Sequence, residues 1–202
     1  ILFDSYDSVL TIIEFILNYT SKNFGNRQPR FNGASIYYFD ERKYINDIFE
    51  KEYVGYRFIG EYFVAITDDA ELKEIEETLY SKIHVVKKHI EKALGFLSNR
   101  ENPDYKNSIK ESISAVEAIC KIITGDANGD LSKTLKKLKD TGIHIHPTLE
   151  QAWVKLYAYT CDEGGVRHAE KAFESNVTFE EAKYMLVSCC AFVNYLIAEY
   201  GK

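Results

Sequence analysis

The chain has 202 residues, of which 46% are hydrophobic and 28% charged, and a formal net charge of −6. These proportions allow a real core in one large domain, or in one domain with a small appendage, and exclude wholesale disorder. The acidic balance excludes a protein coated in basic surface, but Asp68 to Glu77 holds six acids and one lysine while Leu131 to Asp140 holds four lysines and one acid, so a local nucleic-acid site stays open.

The spacing of Val9, Ile12, Ile13, Ile16 and Leu17 predicts a helix over Tyr6 to Tyr19. Lys22 to Gly33 is polar and carries Gly, Pro and Asn, the composition of a loop. A second helix is expected over Asp40 to Tyr53, with Tyr44, Ile45, Ile48 and Phe49 on one side. The β signal follows: Tyr56 to Ile59 and Tyr62 to Ile66 flank Gly60-Glu61, two β-prone runs about a Gly-X pair, which predicts a tight hairpin lying against helices.

From Thr67 the chain reads as successive helices. Asp68 and Glu71 form a capping-box pattern, and the helical stretch they open runs to about Leu97 with a break near Tyr80 to Lys82. Asn102-Pro103 is read as a cap followed by proline at the first helical position. Ile109, Ile113, Val116, Cys120 and Ile123 repeat at the spacing of a bundle seam, which Gly125 to Asp130 ends. Leu131, Leu135 and Leu138 predict a short amphipathic helix closed by Gly142. Pro147 opens another, carrying Leu149, Trp153, Leu156 and Tyr157, and Asp162 to Gly165 breaks it. Thr178 and Glu181 cap the last and most apolar helix, from Ala182 through Leu186 and Cys189 to Ile197, expected at the centre of the bundle or at a dimer seam. The fold expected is mainly α. Residues 1–66 form a small N-terminal α+β part with one β-hairpin, and residues 67–202 form a helical bundle.

No run of about 18 apolar residues is present, so no membrane-spanning helix is expected. With Ile1 first and Met185 the only methionine, further residues upstream are expected. Cys120, Cys161, Cys189 and Cys190 have no zinc-ligand spacing, and three of them lie in apolar helical runs. They read as reduced core thiols of a cytoplasmic protein. Fifteen Tyr against one Trp suggest half-buried helix faces, with rings packed and hydroxyls wet.

The usual chemical motifs are absent: no Gly-rich phosphate loop, no His-Glu-x-x-His, no nucleophile elbow and no paired-cysteine metal site. No cofactor or metal is implied. His144 and His146 alternate before Pro147, where the plain reading is a helix-entry segment. His84 and His89 lie among Lys82, Lys87, Lys88 and Lys92, which reads first as a solvated helix face and second as a phosphate-contacting patch. The same two readings apply to Lys133, Lys136, Lys137 and Lys139. The most suggestive cluster is Asp162-Glu163-Gly164-Gly165-Val166-Arg167-His168. Its glycines let backbone approach a partner closely, Arg167 offers a planar fork for phosphate, His168 can move protons near neutral pH, and Glu163 could orient either. The alternative is a helix-linking turn with Arg167 in a structural ion pair.

Pro103-Asp104-Tyr105-Lys106-Asn107-Ser108-Ile109-Lys110-Glu111-Ser112-Ile113-Ser114-Ala115-Val116-Glu117 resembles the signature segment of the AbiJ-type abortive-infection proteins of bacteria. The resemblance runs back through the hairpin to about Phe39, where it is to one class of AbiJ N-terminal domain. Leu156 to Thr160, with Asp162 to His168, is similar to the Tyr-rich, Gly-x-Arg-His element of the same proteins. Residues before Phe39 carry no part of it. The resemblance implies a HEPN-like C-terminal bundle, a module that usually dimerises and whose effectors are metal-independent ribonucleases. Their usual motif is Arg, four to six residues, then His. This chain departs from it, because Arg167 and His168 are adjacent and would diverge by about 100° on a helix. Two readings follow. In the first, the chain is a ribonuclease effector with Arg167, His168 and Glu163 at the reacting phosphate, and Lys133, Lys136, Lys137 and Lys139 along the RNA. In the second, it is a non-catalytic, dimerising sensor or binding module of a phage-defence system. The partners implied are a second copy of the chain, an RNA substrate and a phage-derived trigger.

Overall fold

The computed structural model describes residues 5–24, 40–161 and 177–201. Among them are eight α-helices and one two-stranded antiparallel hairpin, a mainly α fold. The chain divides into two compact units, Ile1–Thr67 and Asp68–Lys202.

The first unit contains α1 (Tyr6–Phe24), α2 (Glu41–Lys51), β1 (Arg57–Ile59) and β2 (Tyr62–Val64). Helix α1 outruns its expected end at Tyr19 by more than a turn, because nothing before Gly25 breaks it. The rest of the expected loop lies outside the described residues. Asp40 caps α2 by accepting from the amides of Arg42 and Lys43, both at 3.1 Å. In the hairpin Ile59 pairs with Tyr62, and Gly60 takes a φ of 62°, which the first loop position of a two-residue turn requires.

A small aromatic core holds this unit together: Leu10, Phe49, Phe58 and Phe63 are buried, with Ile13, Leu17 and Ile45 packed against them. Phe63 stacks on Phe49 at 5.1 Å and meets Phe58 edge-on at 5.0 Å. Side chains complete the polar accounting of the strands. Asn46 Nδ2 donates to the Phe58 carbonyl (2.9 Å), Asn46 Oδ1 accepts from the Phe58 amide (2.7 Å), and Glu14 Oε2 accepts from the Phe63 amide (2.9 Å). The expected apolar faces are only partly used: Ile12, Ile16, Tyr44 and Ile48 are exposed.

The second unit is a helical bundle of α3 (Asp69–Leu79), α4 (His84–Ser98), α5 (Tyr105–Thr124), α6 (Leu131–Lys137), a 3-10 turn (Leu138–Thr141), α7 (Pro147–Cys161) and α8 (Phe179–Tyr200). Helices α4 and α5 form an antiparallel hairpin, α8 packs on α5 and α3, α6 packs on α5, and α7 packs on α6. The expected seam is buried at every position: Ile109, Ile113, Val116, Cys120 and Ile123. Small Ser108 lets α4 and α5 approach closely, and its hydroxyl donates to the Ala93 carbonyl at 2.9 Å. Helix α8 is central. Met185, Leu186, Cys189, Val193 and Leu196 are all buried within this chain.

Three local expectations need correction. Asp68 caps α3 through the amides of Ala70 and Glu71, but the carboxylate of Glu71 pairs with Lys183 at 3.1 Å instead of closing a capping box. Pro103 does not open α5: Asp104 is its cap, accepting from the Asn107 amide at 3.0 Å, while Asn99 Oδ1 orders the preceding turn by accepting from the amides of Glu101 and Asn102. Leu149 faces solvent, and the inner face of α7 is carried by Trp153, which stacks on Phe192 at 4.0 Å.

Candidate functional site

Glu163, Arg167 and His168 lie outside the described residues, as does the break expected at Asp162 to Gly165. The helix that follows them, α8, has a built N-terminus. Thr178 caps α8 with a full capping box: its hydroxyl accepts from the Glu181 amide at 3.2 Å and Glu181 Oε2 accepts from the Thr178 amide at 2.9 Å. Tyr159, in the last turn of α7, donates its hydroxyl to Glu181 Oε1 at 3.2 Å. The amide of Thr178, with the Tyr159 and Thr178 hydroxyls, holds the Glu181 carboxyl below its ordinary value.

The four lysines are described, and two are tied to acids of the preceding connection. Lys137 pairs with Asp126, and Lys133 lies 3.3 Å from Asp130, which caps α6. The Lys137 ammonium lowers the Asp126 pKa. The Lys133 amide lowers that of Asp130, helped by the Lys133 and Lys136 charges. Lys133 and Lys137 are therefore not free cations but members of ion pairs within the chain.

A further constellation lies on the outer side of the α4–α5 hairpin, where a cleft of about 680 Å³ opens. Helix α4 contributes Val85 and His89, one turn apart, and the connection after α5 contributes Gly125 and Ala127. The facing side is one stripe of α5: Ser114, Glu117, Ala118, Lys121 and Ile122. At one end His89 Nδ1 lies 2.7 Å from Glu111 Oε2, and Lys92 Nζ is 3.9 Å from the same oxygen. An ionised Glu111 accepts from Nδ1–H, which fixes the tautomer and leaves Nε2 for another partner. Sequence reasoning placed His89 on a lysine-rich face and missed Glu111 and Lys121. The available signal was geometric, because His89 and Glu111 stand about two turns from the short connection on either side of it, so an antiparallel hairpin brings them level.

His144 and His146 are exposed and alternate with buried Ile143 and Ile145, and His146 Nδ1 accepts from the Thr148 amide at 3.2 Å as α7 begins. Among the described residues no group of three or more His, Cys, Asp or Glu could hold a metal ion, and no helix is long and apolar enough to cross a membrane. Cys120, Cys189 and Cys190 are buried free thiols, and burial pushes Cys120 and Cys190 up to about 12.

Residues 1–81 match the family model of the AbiJ N-terminal domain 4. The match covers the first unit and helix α3, the first helix of the bundle. It includes the residues before Phe39, where the sequence alone carried no resemblance, and it stops short of Pro103 to Glu117 and of the Gly-x-Arg-His element. No curated protein and no solved structure matches the chain. The AbiJ likeness thus rests on the N-terminal two-fifths of the chain.

Proposed function

We propose that this chain serves bacterial phage defence by abortive infection, and that its helical unit is a HEPN-like ribonuclease that needs no metal. The observation that carries the defence assignment is the match of residues 1–81 to the AbiJ N-terminal domain 4. The cleavage reading draws on the Gly-x-Arg-His element and on the helical bundle, whose helices after α3 follow the matched region. In this reading Arg167 binds the scissile phosphate and stabilises the charge that develops on it. His168 accepts the proton of the ribose 2′-hydroxyl, whose oxygen attacks phosphorus. The 5′-oxygen leaves with a proton from an acid, and the product ends in a cyclic phosphate. Glu163 orients the pair, Lys136 on α6 and Lys139 on the 3-10 turn after it extend the phosphate contacts, and a second copy of the chain completes a two-fold dimer through the C-terminal helices.

The pairing of Lys133 and Lys137 with Asp130 and Asp126 favours a second reading, a non-catalytic sensor that responds to a phage component. Infection of bacteria expressing the full-length protein tests the common ground. The expected result is reduced plaque formation with early loss of infected cells. Plaque counts equal to those of cells without the protein, across a broad phage panel, would remove the defence assignment.

A further inference from the structure

The cleft between α4 and α5 has a cation at one end, an oriented imidazole at the other and aliphatic walls between. Lys121 forms no ion pair among the described residues, and it lines the cleft beside Ile122. At the far end the Nδ1 of His89 is committed to Glu111, whose charge is also met by Lys92, so His89 offers Nε2 and Glu111 brings no unbalanced negative charge. Val85 and Ile122 remain 41% and 43% exposed, large aliphatic groups left wet beside one cleft. Ala118 and Ala127 are small enough to leave the space between them open.

These groups define a shape and a sign. Ser114 and Lys121 stand about 10 Å apart along the α5 axis, so a ligand that spans the cleft is elongated. Its middle is apolar, to cover Val85 and Ile122. One end is anionic, because Lys121 is a point charge with three donors and no acceptor. Glu117, one turn before Lys121, lines the same wall, which disfavours negative charge along the rest of the ligand. We propose that this cleft is a binding site for a small organic anion with an elongated apolar body, its anionic group on Lys121 and its far edge at His89 Nε2. None of the residues that line the cleft belongs to the ribonuclease reading, and the site does not depend on it.

The test uses a pair of probes that differ in charge sign, 4-phenylbutyrate and 4-phenylbutylamine, titrated into the full chain by calorimetry and by amide NMR. The carboxylate is expected to bind one to one, with shifts confined to residues 85–92 and 111–127, and at least tenfold more tightly than the amine. Lys121→Glu should reverse that preference, and Ala118→Phe, which fills the cleft, should abolish binding of both, with thermal melts unchanged. Absence of carboxylate binding, equal affinity for both probes, shifts elsewhere, or a preference that survives Lys121→Glu would overturn the proposal. If Ala118→Phe fails to fold, the reversal in Lys121→Glu decides the matter alone.

Discussion

The Tyr159 hydroxyl donates to Glu181 Oε1 at 3.2 Å, joining the last turn of α7 to the first turn of α8 across the stretch that holds Arg167 and His168. Glu181 also closes the capping box with Thr178, so one carboxylate finishes the α8 N-terminus and receives α7.

That arrangement predicts a pH dependence. The folded-state pKa of Glu181 lies below its unfolded value, first through the Thr178 amide. Its stabilisation is therefore fully present above the ordinary glutamate range, about 4.3, and is lost as pH falls through the lower folded value. Glu181→Gln should lower the melting temperature at pH 7, and the gap to wild type should narrow as pH falls below the ordinary glutamate range and close once it is below the folded value. Thr178→Ala should cost about 1 kcal/mol by chemical denaturation at pH 7.

Tyr53 is 96% exposed and holds a φ of 56°, just past the end of α2. The Val54 amide donates to the Phe49 carbonyl at 2.8 Å and the Tyr53 amide to that of Glu50 at 3.1 Å, the Schellman pattern that favours glycine there. Tyr53→Gly should stabilise the first unit by about 1 kcal/mol, read as a shift of the urea midpoint. A destabilised variant would show that the tyrosine ring makes a contact worth more than the backbone strain.

Asn194 joins α8 to α3: its Nδ2 donates to the carbonyl and to Oε2 of Glu74, both at 2.9 Å, and its Oδ1 accepts from the Thr78 hydroxyl at 2.9 Å. Asn194→Ala removes all three bonds, although the buried Thr78 hydroxyl still donates to the Glu74 carbonyl at 2.9 Å, so a loss of about 1–3 kcal/mol is expected. Asn194→Asp should fare no better, because it places a second carboxylate beside Glu74.

Burial keeps Cys120, Cys189 and Cys190 protonated, and Cys120 and Cys190 are pushed up to about 12. A Cys161→Ser variant should therefore react with a thiol reagent at pH 8 only when denaturant is added. Fast labelling of the native variant would contradict the packing of α5 and α8.

The legible parts of the fold were those where local signals agree. The α5 seam, the Gly60 turn and the Thr178 capping box were readable because period, turn chemistry and cap residue each point to one outcome. What eluded the sequence were choices between competing partners. Glu71 could close a cap or pair with Lys183, a helix distant in the chain, and the ion pair won. Asp104 displaced Asn102 as the α5 cap because its carboxylate reaches the Asn107 amide. The cleft was hidden for the same reason, since His89 and Glu111 meet only once α4 and α5 are folded back on each other. The apolar run of α8 suggested a centre or a dimer seam, and only packing shows that its buried side chains serve the centre.

The most direct measurement of the ribonuclease account is incubation of the purified protein with total tRNA in the presence of a chelator, beside an Arg167→Ala/His168→Ala variant of equal melting temperature. The account predicts cleavage that resists chelation, leaves cyclic-phosphate ends, and disappears in the variant. Intact RNA with wild type, or cleavage that persists when both side chains are gone, would contradict it.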